Sequence, residues 1–181
     1  MIYTFLADGF EEIEALCPVD IMRRAGLSVT TVGIGKKEIC GSHGICVCAD
    51  IDDSELIFED IDLIFLPGGM PGTKNLDASQ TVHKAIDLAT SQNAYIAAIC
   101  AAPMILGKRG LLNGKKAVCY PSFEEYLIGA TVPDGEKLIT DGKIITAKGM
   151  GVSHELGLEI VKLLCGKEKS QELRKAIIAD Q

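Results

Sequence analysis

Seven cysteines, three histidines and a run of acids near the N-terminus carry the reactive groups of this sequence. Cys100 stands apart from the other six. It lies in Ala97-Ala98-Ile99-Cys100-Ala101-Ala102-Pro103, which passes directly from a strand pattern into a helix pattern. Small residues crowd both of its sides, as a sharp turn that exposes a nucleophile requires. Ala98 and Ala102 occupy the positions that glycines hold in a G-x-S-x-G elbow. Pro103 suits a first helical turn, where its missing N–H costs nothing. A thiol at such a turn faces unpaired N–H groups, which favour the thiolate and lower its pKa below the free value of ~8.5.

Two further segments offer partners. Pro67-Gly68-Gly69 ends a strongly apolar strand. Two glycines allow close approach, and their N–H groups can point at an anion and supply half of an oxyanion hole. A plain turn would use the same two glycines. Glu11, Glu12 and Glu14 open the first helix, where the dipole favours acids. Adjacent helical positions diverge by about 100°, so the three cannot share one face. Ile13 fits the core pattern, and local sequence does not choose which acid turns inward.

The other six cysteines read as ordinary small core or surface residues. An odd count with irregular spacing, in a chain without a visible secretory signal, predicts reduced thiols rather than a disulfide framework. Cys46-Val47-Cys48 is a C-x-C pair, but no second pair with zinc spacing follows, so no metal site is expected. No cofactor is expected either.

The elements that must position these groups follow from periodicity. Strands are predicted at 2–6, 28–34, 45–49, 62–66, 95–99 and 117–120, with a hairpin of 137–140 and 143–147 about Asp141-Gly142. Helices are predicted at 11–25, capped by Gly26, and at 79–91, 101–107, 152–164 and 169–179. Pro18 should kink the first helix or start a second segment. Residues 35–44 read as a loop or hairpin. Alternating strands and helices joined by Gly-rich turns predict an α/β fold with a mostly parallel sheet covered on both faces. Ligands gather at the carboxyl ends of such strands, where Glu14, Gly68-Gly69 and Cys100 all fall.

The 181 residues, with no repeat or linker, suit one domain spanning 1–181. A net charge of −7 argues against nucleic acid as a partner. No targeting segment and no apolar run of ~18 residues is visible, so no membrane span is expected and the cytoplasm is the expected location.

Taken in order, these segments resemble the DJ-one/ThiJ/PfpI superfamily, and within it the DJ-one branch that includes the Parkinsonism-associated deglycases and their bacterial relatives. The likeness runs nearly end to end. It is carried by Asp8-Gly9-Phe10-Glu11-Glu12-Ile13-Glu14, by Pro18 through Gly26, by Leu66-Pro67-Gly68-Gly69, by Ala97 through Pro103 and by Lys148-Gly149-Met150-Gly151. The resemblance implies a flavodoxin-like, doubly wound fold and a homodimer. It implies that Cys100 is the reactive cysteine, that Glu14 is the buried acid beside it, and that the amides of Gly69 and Ala101 bind an oxyanion. It also implies a role in oxidative stress, through cysteine sulfinate, chaperone activity, or glyoxalase or deglycase chemistry on small reactive aldehydes such as methylglyoxal. Some members carry a thiamine-biosynthesis label, for which no residue here speaks.

The physics of the pair agrees. A carboxylate beside a thiolate repels it, so one proton is shared, and a protonated Glu14 would donate to sulfur. The same donor would favour stopping oxidation at the sulfinate.

The sequence also departs from its relatives. Ala101 follows the cysteine where the protease-like branch has histidine. Tyr120 precedes Pro121 where many DJ-one relatives have histidine, and tyrosine, with a pKa near ~10, is a poor base at neutral pH. His43 lies where relatives often carry an arginine near the cleft, so Tyr120 and His43 are the accessory candidates. His83 reads as a surface residue. His154-Glu155 is similar to the His-x-Glu of glutamine amidotransferases, but its spacing is wrong and it opens a helix. Three readings follow: an enzyme acting on small carbonyl compounds, a redox sensor or chaperone without turnover, and a cysteine-lined binding module.

Overall fold

The computed structural model describes residues 1–179; the last two residues of the expected 1–181 domain lie outside the described residues. The chain runs β1 (Ile2–Leu6), α1 (Glu12–Arg24), β2 (Val29–Gly33), β3 (Glu38–Cys40), β4 (Cys46–Cys48), β5 (Ile51–Asp52) and β6 (Leu63–Leu66). It continues through α2 (Gly72–Ala78), α3 (Gln80–Ser91), β7 (Tyr95–Ile99), α4 (Pro103–Lys108), β8 (Leu138–Asp141), β9 (Ile144–Ala147), α5 (Ser153–Cys165) and α6 (Lys167–Ala176).

Seven strands form one sheet in the order β5-β2-β1-β6-β7-β9-β8. Every pairing is parallel except that of β8 with β9, which are joined through Gly142 and Lys143. The central order β2-β1-β6-β7-β9 is the flavodoxin-like 2-1-3-4-5 arrangement. Its order reverses between β1 and β6, which opens a crevice at their carboxyl ends.

Strand alternation builds two apolar layers. Leu63, Phe65, Ala97 and Ile99 face Val19 and Met22 of α1 and Leu156 and Ile160 of α5. Ile64, Leu66, Ile96 and Ala98 face Leu76 of α2, Val82 and Ile86 of α3, and Met104 of α4. The central strands are buried on both faces, which is why they read as unbroken apolar runs.

Several expectations are corrected. Pro18 does not divide α1, which stays one helix of 13 residues with the proline ring buried inside it. The missing N–H leaves only the Glu14 carbonyl without its helical donor. Residues 117–120 form no strand, because β9 already occupies the edge of β7. Their N–H groups go instead to Thr131 O, Thr146 Oγ1 and Cys100 O. The helix expected from residue 101 starts at Pro103. α2 and the short β5 lie where no element was expected.

The expectation of seven reduced thiols is also corrected, since Cys40 and Cys46 form a disulfide. β3 and β4 make an antiparallel ribbon in which these two residues are directly opposed. Facing positions of a ribbon bring Cβ atoms within bridging reach. Spacing alone could not show this, because the register of the ribbon creates the pair.

Candidate active site at the carboxyl end of the sheet

β7 delivers Cys100 to the carboxyl edge of the sheet, and the chain turns there with Cys100 at φ 63°. A side chain in this left-handed region costs about 1–3 kcal/mol, so the surroundings must hold it in place. They do so from both sides: the Cys100 N–H donates to Ala147 O at 2.9 Å and its carbonyl accepts from Tyr120 N at 2.8 Å. Ala97, Ala98, Ala101 and Ala102 are all buried around the turn. The sharp elbow expected from small flanking residues is therefore present.

Glu14 reaches the same place from α1. Glu11 caps the helix, its Oε2 accepting from Glu14 N at 2.6 Å. Glu14 is only 2 % exposed, and its Oε2 has no hydrogen-bond partner among the described residues. Ile13, expected in the core, is instead 49 % exposed. The face it would have shared is taken by two acids, because Glu12 is buried as well. Glu12 serves the ribbon: its carboxylate accepts from His43 N at 2.7 Å and pairs with His43 Nδ1 at 2.9 Å. Burial raises the Glu12 pKa, and the His43 contacts outweigh it and lower it overall; the same contact raises His43. His43 is thus committed to Glu12 and Ser42 rather than to Cys100. Glu11, Glu12 and His43 hold potential metal-ligand atoms within 4.8 Å of one another, but hydrogen bonds within the fold already engage all three.

Gly68 explains how the two reactive groups come so close. A Cβ there would lie 2.3 Å from Glu14 Oε2 and 2.5 Å from the Cys100 Cβ. Only glycine leaves room for both. Gly69 has φ +93°, and a Cβ on it would strike Glu11 N at 2.3 Å. The glycines then divide their work. The amides of Gly69 and Ala101 act on Cys100, whereas the amide of Gly68 acts on Glu14, together with that of Met150. Gly68, expected with Gly69 and Ala101 in the anion-binding set, has its amide on the Glu14 carboxyl.

The electrostatics are those of a coupled pair. Burial, followed by repulsion from Glu14, pushes the Cys100 thiol up to about 12. Burial pushes Glu14 up to about 7, with Cys100 pulling the other way. The two groups hence lose one proton near about 7 and keep the second to about 12. Between those values the site carries one negative charge and one proton. α4 is only six residues long, so the thiol depends on two individual amides more than on a helix dipole.

Tyr120 closes the site on a third side. It is 51 % exposed, and its ring lies 3.5 Å from the position of a Cβ built on Gly149. The same position lies 3.6 Å from Glu14 Oε1. The segment Lys148-Gly149-Met150 is therefore part of the site wall. It entered the sequence reading only as a marker of resemblance, since a lone glycine between strand and helix signals nothing by itself.

A mostly parallel α/β sheet with a cysteine elbow, a buried acid and two amides directed at the sulfur defines a class of flavodoxin-like proteins with a cysteine at the carboxyl end of the sheet. Within that class, the chain belongs to the DJ-1/PfpI family, whose profile matches residues 1–163. It is 35 % identical to "Protein dj-1beta" of Drosophila melanogaster over 96 % of this chain and 94 % of that protein. It is 36 % identical to "Protein DJ-1 homolog B" of Arabidopsis thaliana, again over 96 % of this chain but only 40 % of that longer protein. It is 28 % identical to "Glutathione-independent glyoxalase DJR-1.2" of Caenorhabditis elegans, over 92 % of this chain and 89 % of that protein. Among solved structures, oxidized Toxoplasma gondii DJ-1 superposes with a TM-score of 0.87 at 30 % identity, over 98 % of this chain and 97 % of that one. No helix among the described residues is long and apolar enough to cross a membrane.

Proposed function

We propose that this protein converts small reactive 2-oxoaldehydes to hydroxy acids, with Cys100 as nucleophile and Glu14 as proton carrier. One observation carries the reading: Glu14 Oε2 is enclosed, lacks a partner and is wedged with the Cys100 Cβ around Gly68. Burial of that oxygen away from water favours the protonated carboxyl, against the pull of Cys100 and of the Met150 and Gly68 amides. In this reading the proton shared by the coupled pair sits on Glu14 in the reacting form, and the charge sits on sulfur, beside the Gly69 and Ala101 amides.

In the proposed cycle the thiolate attacks the aldehyde carbon of methylglyoxal, and those amides hold the resulting oxyanion. Glu14 protonates it to a hemithioacetal. The Glu14 carboxylate then takes the proton from that carbon, whose electron pair forms an enediol with the neighbouring ketone, and returns it to the former ketone carbon, while the hydroxyl proton of the first carbon passes to the former ketone oxygen. This leaves a thioester on Cys100. Water hydrolyses the thioester to lactate and frees the thiol. Oxidation of one carbon balances reduction of the next, so no cofactor is needed. The glyoxalase name of the nematode relative supports this reading. Lactate formation should require Cys100, and equal conversion by wild type and Cys100→Ser would sink the proposal.

The second reading is a redox sensor. It is favoured by Tyr120, which stands where many DJ-one relatives carry a histidine. One equivalent of peroxide would convert the thiolate to sulfenate and a second to sulfinate, each releasing water or hydroxide. Protonated Glu14 would then donate to the sulfinate. Mild peroxide should add two oxygens at Cys100 and spare Cys17, Cys48, Cys119 and Cys165. Uniform oxidation of all five would exclude this reading.

We place the protein in the cytoplasm as a homodimer, in line with its family. Ile13 and Ile45, both exposed, offer apolar surface to the partner copy. A monomer by light scattering would overturn the dimer.

A further inference from the structure

Beside the elbow lies a cavity of about 410 Å³, walled by Tyr120, Gly149, Met150 and Val152 and flanked by Lys137 and Lys148. It adjoins the site, because the Tyr120 N–H donates to the Cys100 carbonyl and the Gly149 position borders both the Tyr120 ring and Glu14 Oε1. Its two lysines are in register. β8 and β9 pair Leu138 with Ala147, and one step further the Lys148 N–H donates to Lys137 O at 2.9 Å. Facing residues of an antiparallel pair put their side chains on one face, where like charges repel. Neither ammonium has an ion-pair partner among the described residues. In a chain of net charge −7, two lysines without an ion-pair partner, paired through their backbones and lining one largely apolar cavity, offer an anion a place.

We infer that this cavity recognises an anionic group on the substrate, so that the preferred substrates are small carbonyl compounds bearing a carboxylate or phosphate. The inference rests on Cys100 being the reactive thiol. The aldehyde carbon would sit at the sulfur and the anion between Lys137 and Lys148, with Tyr120 and Met150 covering the apolar stretch between them. The site itself carries one negative charge, and Glu124 and Lys148 act on the neighbouring Cys119 in opposite directions, so the two lysines are what make an incoming anion acceptable.

Iodoacetate and iodoacetamide test this, because they differ mainly in charge. Each alkylates the thiolate at its CH₂ carbon and expels iodide. The rate ratio of iodoacetate to iodoacetamide at Cys100 is measured by peptide mass spectrometry and divided by the same ratio for free glutathione. Two ammonium groups at several Å should raise the normalised ratio about fivefold. The excess should vanish near 1 M salt, where the screening length is ~3 Å. Lys148→Gln and Lys137→Gln should each remove part of it and the double variant all of it, while Lys148→Arg should restore it. Competition by acetate or by inorganic phosphate shows which anion fits better. A normalised ratio of one or less in the wild type, or one unchanged in the double variant, overturns the inference. Failure of the underlying reading looks different: neither reagent would label Cys100 ahead of the exposed Cys48 and Cys165.

Discussion

Two cysteine sites touch the same short segment, residues 8–14, and their chemistry is opposite. On the ribbon, Cys40 and Cys46 face each other and consume each other's reactivity. At the elbow, Cys100 stands alone at φ 63°, with a carboxyl group as neighbour in place of a second thiol. Cys40 is fixed to the segment through Asp8 and Gly9, while Cys100 is coupled to Glu14. The residue type is the same in both places. Backbone geometry and the facing atom decide whether the sulfur is bridged or stays a free thiol beside an acid.

The sharpest way to break the comparison is to remove each sulfur in turn. Cys100→Ser should lower methylglyoxal conversion at least a hundredfold, of the order seen when a covalent nucleophile is lost. The double change Cys40→Ser and Cys46→Ser should leave that rate within about twofold. If the ribbon variant lost as much as the elbow variant, the two sites would be one machine.

Gly68→Ala attacks the wedge directly. The new methyl would overlap both Glu14 Oε2 and the Cys100 Cβ. Overpacking of this kind costs about 1–3 kcal/mol of stability. The expected result is a lowered unfolding midpoint with Cys100 alkylation slowed more than tenfold. An unaffected alkylation rate would mean that the glycine does not bring the two groups together.

Glu14 also marks the elbow in the pH dependence of stability. Its pKa is raised to about 7 by burial, from an unfolded value near 4.5. Between those values the folded state binds more protons than the unfolded one, so stability falls as pH rises from about 4.5 to about 7 and then levels off. The drop should be on the order of 3 kcal/mol. Glu14→Gln should flatten that slope in denaturant titrations at stepped pH. The same variant locates the shared charge. With the charge on sulfur, the amide still donates and Cys100 alkylation at pH 7.5 changes less than about tenfold. A hundredfold acceleration would place the charge on Glu14 instead.

What the sequence revealed follows the same division. The elbow was legible because its signal is local: small residues on both sides of Cys100, a buried strand before it and Pro103 after it. The sheet was legible because fully buried strands such as Leu63–Leu66 read as apolar runs. The inward acid was not legible from helix periodicity. Two acids turn inward, each toward groups distant in sequence: Glu14 toward Cys100 and Glu12 toward His43. Ile13 was misassigned for the same reason, since its exposure is set by what those acids require. The disulfide and the missing strand at 117–120 depend on register and on which edge β9 occupies, and neither is written in neighbouring residues.

The smallest effect tests the ribbon. Cys40 and Cys46 close a loop of only a few residues, for which chain entropy predicts about 2 kcal/mol of stabilisation. Reduction should therefore lower the unfolding midpoint by a few degrees. It should barely disturb the site, because the ribbon is also held by the Glu12–His43 contacts, by Ser42 N to Phe10 O at 2.7 Å and by Gly9 N to Cys40 O at 2.7 Å. These bonds survive loss of the sulfur bridge, so the β1–α1 loop keeps its path and Glu14 keeps its place. Alkylation of Cys100 should accordingly proceed within about twofold of the oxidised rate when Cys40 and Cys46 are replaced by serine. A larger change would show that the staple reaches the nucleophile through residues 8–14, and that the sulfur sites are coupled through the loop they share.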